Sequence, residues 1–158
     1  MIAPEGIEYF SHSSTLSDVH RSALTNLAFE NGSSYASYLA TDEGWESMWL
    51  PNQRGVVCFV RWGKYAMVVC GLLADPPDQE ELLVEFMRFA QKNRLHLSFY
   101  NIGRDDLGLF RRNGFQVTKF GEEPIVQLDQ TSWKGKEYSW LRRQESHGKR
   151  AGLQFEEI

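Results

Sequence analysis

Apolar and polar residues recur along residues 79–93 with the period of an α-helix, more clearly than anywhere else in the chain. The apolar positions form one stripe, and the charged residues lie mostly outside it. That stripe consists of Leu82, Leu83, Phe86, Phe89 and Ala90. The preceding Asp75-Pro76-Pro77-Asp78 interrupts the chain, so Asp78 is predicted to cap this helix.

Runs of β-branched and aromatic residues predict several strands around this helix. Before it, the runs cover residues 45–50, 55–62 and 65–73, and after it a run covers residues 95–102. The run at residues 65–73 is almost entirely apolar, which is typical of a central strand covered on both faces. A weaker helical stripe predicts an earlier helix over residues 14–31.

The remainder of the chain predicts two more helices and further strands. The helices cover residues 104–112 and 133–150, and the strands cover residues 115–120, 124–128 and 153–158. This order of elements predicts a mixed α/β (α+β) domain, with a central, mostly antiparallel sheet flanked by helices.

Composition excludes several classes of protein. The 158 residues are 42% hydrophobic and 24% charged, so the chain as a whole is neither disordered nor a coiled coil. No apolar run approaches the roughly 20 residues that cross a bilayer, and the first ten residues lack the features of an export signal. Cys58 and Cys70 lie in apolar runs, which favours buried thiols over a disulfide, a metal site or a nucleophile. We therefore expect a cytoplasmic location.

Charge is concentrated near the end of the chain. The formal net charge is −4, yet residues 134–150 contain six Lys or Arg residues against Glu137 and Glu145. Such a segment is typical of contact with a polyanion, such as RNA or lipid headgroups, and a solvated helix is the plain alternative. Arg142 and Arg143 would be the forked donors to phosphate.

The sequence contains no dinucleotide, P-loop, metalloprotease or nucleophile-elbow motif. The most interesting charged cluster is Lys119-Phe120-Gly121-Glu122-Glu123, where a lysine and two carboxylates flank a glycine. Glu122 or Glu123 could orient an amine while Lys119 meets an anion. A solvated turn is the alternative that spacing alone favours.

Six stretches of the chain, taken together and in order, resemble one bacterial family. They are residues 55–62, 65–76, 82–90, 109–115, 119–123 and 135–142. They include the apolar strand ending in Asp75-Pro76, the helix-to-strand joint at Gly114-Phe115 and the Lys119 to Glu123 motif, and it is their common order that makes the match specific. The chain is similar to the first half of the C-terminal module of phosphatidylglycerol lysyltransferases, the aminoacyl-phosphatidylglycerol synthases of the multiple peptide resistance type.

This resemblance implies an acetyltransferase-like (GNAT) fold. Residues 15–158 would form a single GNAT-like domain, the first half of a tandem module, and residues 1–14 would form an N-terminal extension. The implied activity transfers lysine or alanine from aminoacyl-tRNA to phosphatidylglycerol, an anionic phospholipid. No cofactor and no metal are expected. The implied partners include a second GNAT-like domain or a second copy, and the implied location is peripheral at the inner face of the membrane.

The resemblance also implies roles for particular residues. Lys119, Glu122 and Glu123 are the expected catalytic residues. Asp75 and Arg142, which lie in the matched stretches, are expected to bind substrate, and the basic segment described above adds Arg143 to them.

Departures from the family pattern keep two alternatives open. Ala74 replaces a glycine of the family, Ser146 replaces its asparagine, and the family's working module is roughly twice this long. The first alternative is therefore a non-catalytic half-module that binds RNA, a lipid headgroup or a partner domain. The second is an acyl-CoA N-acyltransferase, which Pro76 and Pro77 disfavour because proline has no N–H to offer the pyrophosphate.

Overall fold

The first part of the chain forms a six-stranded sheet. The structure is a computed structural model, and it describes residues 1–32, 34–122, 126–127 and 129–154. The strands are β1 (Glu8–Phe10), β2 (Glu46–Trp49), β3 (Gly55–Trp62), β4 (Tyr65–Val68), β5 (Leu73–Ala74) and β6 (His96–Phe99). Their order is β1-β2-β3-β4-β6, and β5 pairs with the start of β3. Only β4 and β6 run parallel, so the predicted mixed, mostly antiparallel sheet is confirmed.

Four α-helices accompany the strands in the described part of the chain. They are α1 (Asp18–Glu30), α2 (Pro76–Lys92), α3 (Leu107–Arg112) and α4 (Ser139–Arg150). A 3₁₀ segment at Tyr35–Thr41 follows α1. None of the helices in the described residues has both the length and the apolar character needed to cross a bilayer.

The chain divides into two compact units, Met1–Thr118 and Lys119–Ile158. The first unit contains the whole sheet with α1, α2 and α3. The second contains α4 and the loop that precedes it.

Aromatic packing holds α2 against the sheet. Phe86 of α2 lies with its ring centroid 5.2 Å from that of Phe59 in β3 and 6.1 Å from that of Phe99 in β6. Phe89 adds a contact to Phe59 at 6.0 Å, and the rings of Phe59, Phe86 and Phe89 are fully buried. The apolar stripe predicted for this helix is therefore its core face. On the opposite face of the sheet, α1 covers a second cluster that includes Trp49.

The start of α2 differs from the prediction. Asp75 occupies the N-cap position, and Pro76 and Pro77 fill the first two helical positions. Proline suits the first turn because its fixed φ is already helical and its missing N–H would have no partner there. Asp78 therefore lies inside the helix and pairs with Arg54, with Nη1 and Oδ1 2.5 Å apart.

The apolar run at residues 65–73 does not form one strand, so that prediction is wrong. The chain leaves the sheet after Val68 and re-enters it at Leu73 as β5. Gly71 between them has a φ of 80°, a backbone conformation that turns the chain and that other residues rarely adopt. Cys70, Gly71 and Leu72, which lie between the two strands, are buried as well, so the apolar composition of the run does not reveal the break.

Two further predictions differ at the ends of the sheet. Glu8–Phe10, which the hydrophobic pattern left outside any element, forms β1 and pairs with β2. Residues 115–120 form no strand, and Val117 stays partly exposed because no neighbouring strand pairs with this segment among the described residues. Most of the strands predicted at residues 124–128 and 153–158 lies outside the described residues.

Close backbone packing at Gly55 leads to a stability prediction. A β-carbon at this position would lie 2.7 Å from the Ala74 β-carbon and 3.3 Å from Cδ2 of Leu82. We expect Gly55→Ala to destabilise the chain by about 1–3 kcal/mol, measured by urea denaturation. The matched control is Gly108→Ala in α3, where the added methyl group has room and raises helix propensity, so stability should be unchanged or higher. A Gly55→Ala chain as stable as the wild type would contradict this packing.

Candidate functional site

Two of the predicted catalytic residues lie together in the second unit. The Lys119 ammonium forms an ion pair with the carboxylate of Glu122, three residues further along the chain. The side chains remain 71% and 80% exposed, so water screens the pair and each charge is accessible to a ligand. Glu123, the third predicted catalytic residue, lies outside the described residues.

Arg142 and Arg143 are adjacent in α4, but their surroundings differ. The Arg142 guanidinium donates to the carbonyl oxygens of Trp133 and Gly135, at 2.9 and 2.8 Å. These bonds tie the start of the helix to the loop before it and occupy two of the five N–H donors of Arg142. Arg143 is exposed, so its forked donors face solvent.

Asp75 belongs to the first unit and has a structural contact. Asn31 at the C-cap of α1 donates from Nδ2 to Oδ1 of Asp75, at 2.6 Å. Asp75 itself stands at the N-cap of α2, where a negative charge interacts favourably with the helix dipole. The residue therefore joins the end of one helix to the start of another.

Sequence reasoning missed a cleft in the first unit. An open space of about 370 Å³ lies between the first turn of α2 and the segment around α3. It is lined by Pro76, Pro77, Gln79, Glu80, Asp105, Asp106, Gly108, Leu109 and Arg112. The carboxyl-bearing side chains outnumber the single arginine, and the two prolines offer no N–H. The cleft is therefore poorly suited to a phosphate group.

The arginine in this cleft is engaged by a carboxylate. Arg112 forms a two-point contact with Glu80, with Nε to Oε1 and Nη2 to Oε2 both at 2.9 Å. Hydrogen bonds from Arg112, and then from Asn113, hold the pKa of Glu80 below its ordinary value. Glu80 and Arg112 are 32 residues apart, so no local sequence pattern reveals their contact.

The described residues offer no group of three or more side chains that could hold a metal ion. Both cysteines are buried in the first unit. Burial raises the pKa of Cys70 to about 12 and raises the pKa of Cys58 well above its usual range. Neither thiol is poised to act as a nucleophile.

Comparison with known proteins identifies the family. Residues 24–158 match the family described as phosphatidylglycerol lysyltransferase, C-terminal. The chain belongs to this family. The matched residues include Lys119, Glu122, Arg142, Arg143 and Asp75.

Individual phosphatidylglycerol lysyltransferases are also similar to the chain. The enzyme of Bacillus subtilis (strain 168) is 35% identical over 75 residues, which is 45% of this chain and 9% of that protein. The enzyme of Staphylococcus haemolyticus (strain JCSC1435) is 26% identical over 126 residues, which is 79% of this chain and 15% of that protein. The chain thus spans 9% to 15% of the length of these curated relatives.

Solved structures of the lysyltransferase family show the same fold. L-PGS from Bacillus licheniformis has a TM-score of 0.66 at 23% identity, covering 83% of this chain and 42% of that one. The C-terminal domain of a putative lysylphosphatidylglycerol synthetase from Agrobacterium fabrum has a TM-score of 0.71 at 23% identity, covering 87% and 44%. The expected fold, a mixed α/β domain like that of the family's C-terminal module, is thereby confirmed.

Burial of the two cysteines predicts slow reaction with thiol reagents. In the folded chain at pH 8, we expect Cys58 and Cys70 to react with a disulfide reagent at least about a hundredfold more slowly than free cysteine, because little thiolate forms and access is blocked. The same chain in guanidinium should react at the rate of free cysteine. Rapid labelling of either thiol in the folded chain would contradict the burial described above.

Proposed function

We propose that this chain is an aminoacyl-transfer domain that takes a lysyl or alanyl group from aminoacyl-tRNA and passes it to phosphatidylglycerol. The observation that carries the proposal is the family match, which runs through residues 24–158 and contains every described candidate residue. A phospholipid acceptor also implies a peripheral position at the inner face of the membrane. A second GNAT-like domain or a second copy is the proposed protein partner.

The proposed reaction is an ester exchange. A glycerol hydroxyl of the lipid attacks the carbonyl carbon of the aminoacyl ester, and a new carbon–oxygen bond forms. The bond from that carbon to the tRNA ribose oxygen breaks, and the proton lost by the lipid hydroxyl ends on the ribose hydroxyl. No oxidant or nucleotide is consumed, so positioning and charge stabilisation are the tasks left to the protein.

The charged residues of the second unit are suited to those tasks. We assign Glu122 to the α-ammonium of the aminoacyl group and Lys119 to a phosphate or to the negative charge that develops on the carbonyl oxygen. The two side chains are paired with each other and exposed, and substrate binding would exchange their ion pair for two substrate contacts. We give Glu123 the same class of role as Glu122 and give Arg143 a contact to phosphate.

Asp75 of the first unit and Arg142 of the second unit differ from Arg143 in how their side chains are engaged. Both side chains already have partners within the chain, which are Asn31 for Asp75 and two backbone carbonyls for Arg142. Any contact from these two residues to substrate would therefore use their remaining oxygen or N–H groups.

A non-catalytic binding module is the second candidate function. One observation favours it: the side chains of Lys119 and Glu122 are largely exposed, whereas an active site encloses its substrate and expels water. The chain also covers 42% and 44% of the two solved relatives. In this case the chain would hold aminoacyl-tRNA or a lipid headgroup, and a partner domain would supply the rest of the site.

A transfer assay tests the first proposal. Purified chain is incubated with radiolabelled lysyl-tRNA or alanyl-tRNA and phosphatidylglycerol vesicles, and the lipid extract is counted. We expect labelled lipid, and we expect Glu122→Gln to reduce its rate at least about tenfold because the ammonium loses its carboxylate partner. The matched control is Glu145→Gln, which breaks another exposed ion pair of the second unit, to Lys149 at 2.7 Å, and should leave the rate unchanged.

Two results would contradict the transferase proposal. One is the absence of labelled lipid in an assay where a full-length relative is active. The other is equal activity of the Glu122→Gln and wild-type chains. Retained binding of aminoacyl-tRNA without transfer would support the binding module instead.

A further inference from the structure

Among the described residues of the first unit, nothing covers one face of the sheet where β3 turns into β4. In the register of this hairpin, Val60 lies opposite Met67 and Trp62 lies opposite Tyr65. Tyr65 in turn lies beside His96 of β6, with ring centroids 5.4 Å apart. Because cross-strand partners share a face, these five side chains lie on the same side of the sheet.

The aromatic side chains on this face are exposed in the structure. Trp62 is 81% exposed, Tyr65 is 58% exposed and Val60 is 45% exposed. Further along β3, the same face carries Val56 and Cys58, which are buried in the cluster that includes residues of α1. Cover by α1 therefore reaches Cys58 and does not extend to the hairpin.

The opposite face of β4 is closed. Ala66 and Val68 point to the side of α2 and are fully buried in its cluster. The fold of the first unit thus already has its core on that side. Trp62 and Tyr65 add little to that core, which leaves their apolar surface available for another contact.

Basic residues flank these aromatic residues along the chain. Residues 60–67 and 91–98 contain Arg61, Lys64, Lys92 and Arg94, and neither segment contains an aspartate or a glutamate. Lys64 and Arg94 are exposed. The backbone N–H of His96 donates to the Lys64 carbonyl oxygen at 2.7 Å, which joins the two segments. The other two basic residues are engaged elsewhere. On the other face of the strand, Glu46 pairs with Arg61 and compensates its charge, and Lys92 of α2 donates to the carbonyl oxygen of Ala3 at 3.1 Å.

We propose that Trp62, Lys64, Tyr65, Arg94 and His96, here called the aromatic tip, dock this chain on the interfacial layer of an anionic lipid bilayer. Tryptophan and tyrosine favour that layer because each has an apolar body and a polar edge. Lysine and arginine beside them are attracted to anionic headgroups. The inference rests on the proposed function, because a phosphatidylglycerol acceptor requires the chain to reach a membrane.

Charge complementarity favours a bilayer over a second copy of the chain. A symmetric contact between two aromatic tips would bring Lys64 and Arg94 of each copy towards the same positive residues of the other. Such like-charge contacts are unfavourable, particularly where water is excluded. A phosphatidylglycerol surface supplies the opposite charge over the whole patch.

Vesicle flotation without tRNA tests this inference. We expect the wild-type chain to float with phosphatidylglycerol vesicles, to bind phosphatidylcholine vesicles much more weakly, and to be released by salt. Trp62→Ser combined with Tyr65→Ser should weaken partitioning at least about fivefold, and Lys64→Gln alone about fivefold. The matched control is Phe29→Ser combined with Tyr38→Ser, an exposed aromatic pair elsewhere in the first unit, which should bind like the wild type.

Several results would overturn the inference. They are failure of the wild-type chain to float, equal floating of the Trp62→Ser/Tyr65→Ser chain, and a wild-type dimer that this double variant abolishes. A large fall in the melting temperature of Trp62→Ser would also overturn it, because the ring would then be packed within the folded chain. Vesicle binding without aminoacyl transfer would leave the aromatic tip supported and the transferase proposal contradicted. Aminoacyl transfer by a chain whose vesicle binding does not depend on the aromatic tip would support the transferase proposal and contradict the aromatic tip.

Discussion

The packing of Phe86 and Phe89 against Phe59 is the interaction on which the rest of the first unit depends. Three fully buried rings meet where α2 crosses the sheet, and Phe99 of β6 joins them. Because α2 lies in sequence between β4 and β6, this contact allows those two strands to run parallel and adjacent. Without it, neither the parallel pair nor the start of α2 would have a fixed position.

The fixed position of α2 also determines which residues of its first turn line the cleft. Pro76 and Pro77 face the segment around α3 across the cleft, and the hydrogen bond from Asn31 to Asp75 links this turn to the end of α1. A phosphate-binding loop would need free N–H groups in this position. The same packing closes one face of β4, while α1 closes the other face of the sheet only in part. The exposed aromatic tip is a consequence of that unequal cover.

Local patterns predicted the features that depend on neighbouring residues. The stripe of α2 and the run of β3 were predicted correctly because helix and strand periods act over a few residues. The pairing of Lys119 with Glu122 is also local, three residues apart, and could be anticipated from its spacing.

Features that depend on tertiary contacts could not be predicted in this way. The break between β4 and β5 depends on the positive φ of Gly71, and the sequence does not show that this glycine adopts it. Glu80 and Arg112 meet only because α2 and α3 pack side by side. Trp62 and Tyr65 are residue types typical of a buried strand. They are exposed because the cluster that α1 covers ends at Cys58.

The most direct test of the account is an exchange of segments within the family. The segment of the Staphylococcus haemolyticus enzyme that corresponds to residues 24–158 is replaced by this chain's residues 24–158, and lysyl-phosphatidylglycerol is measured in cells that make the hybrid. We expect lysyl-phosphatidylglycerol above background, at a level comparable to that of a control hybrid that carries the same segment of the Staphylococcus epidermidis enzyme. A hybrid made in equal amount that forms no lysyl-phosphatidylglycerol, while the control hybrid does, would contradict the account.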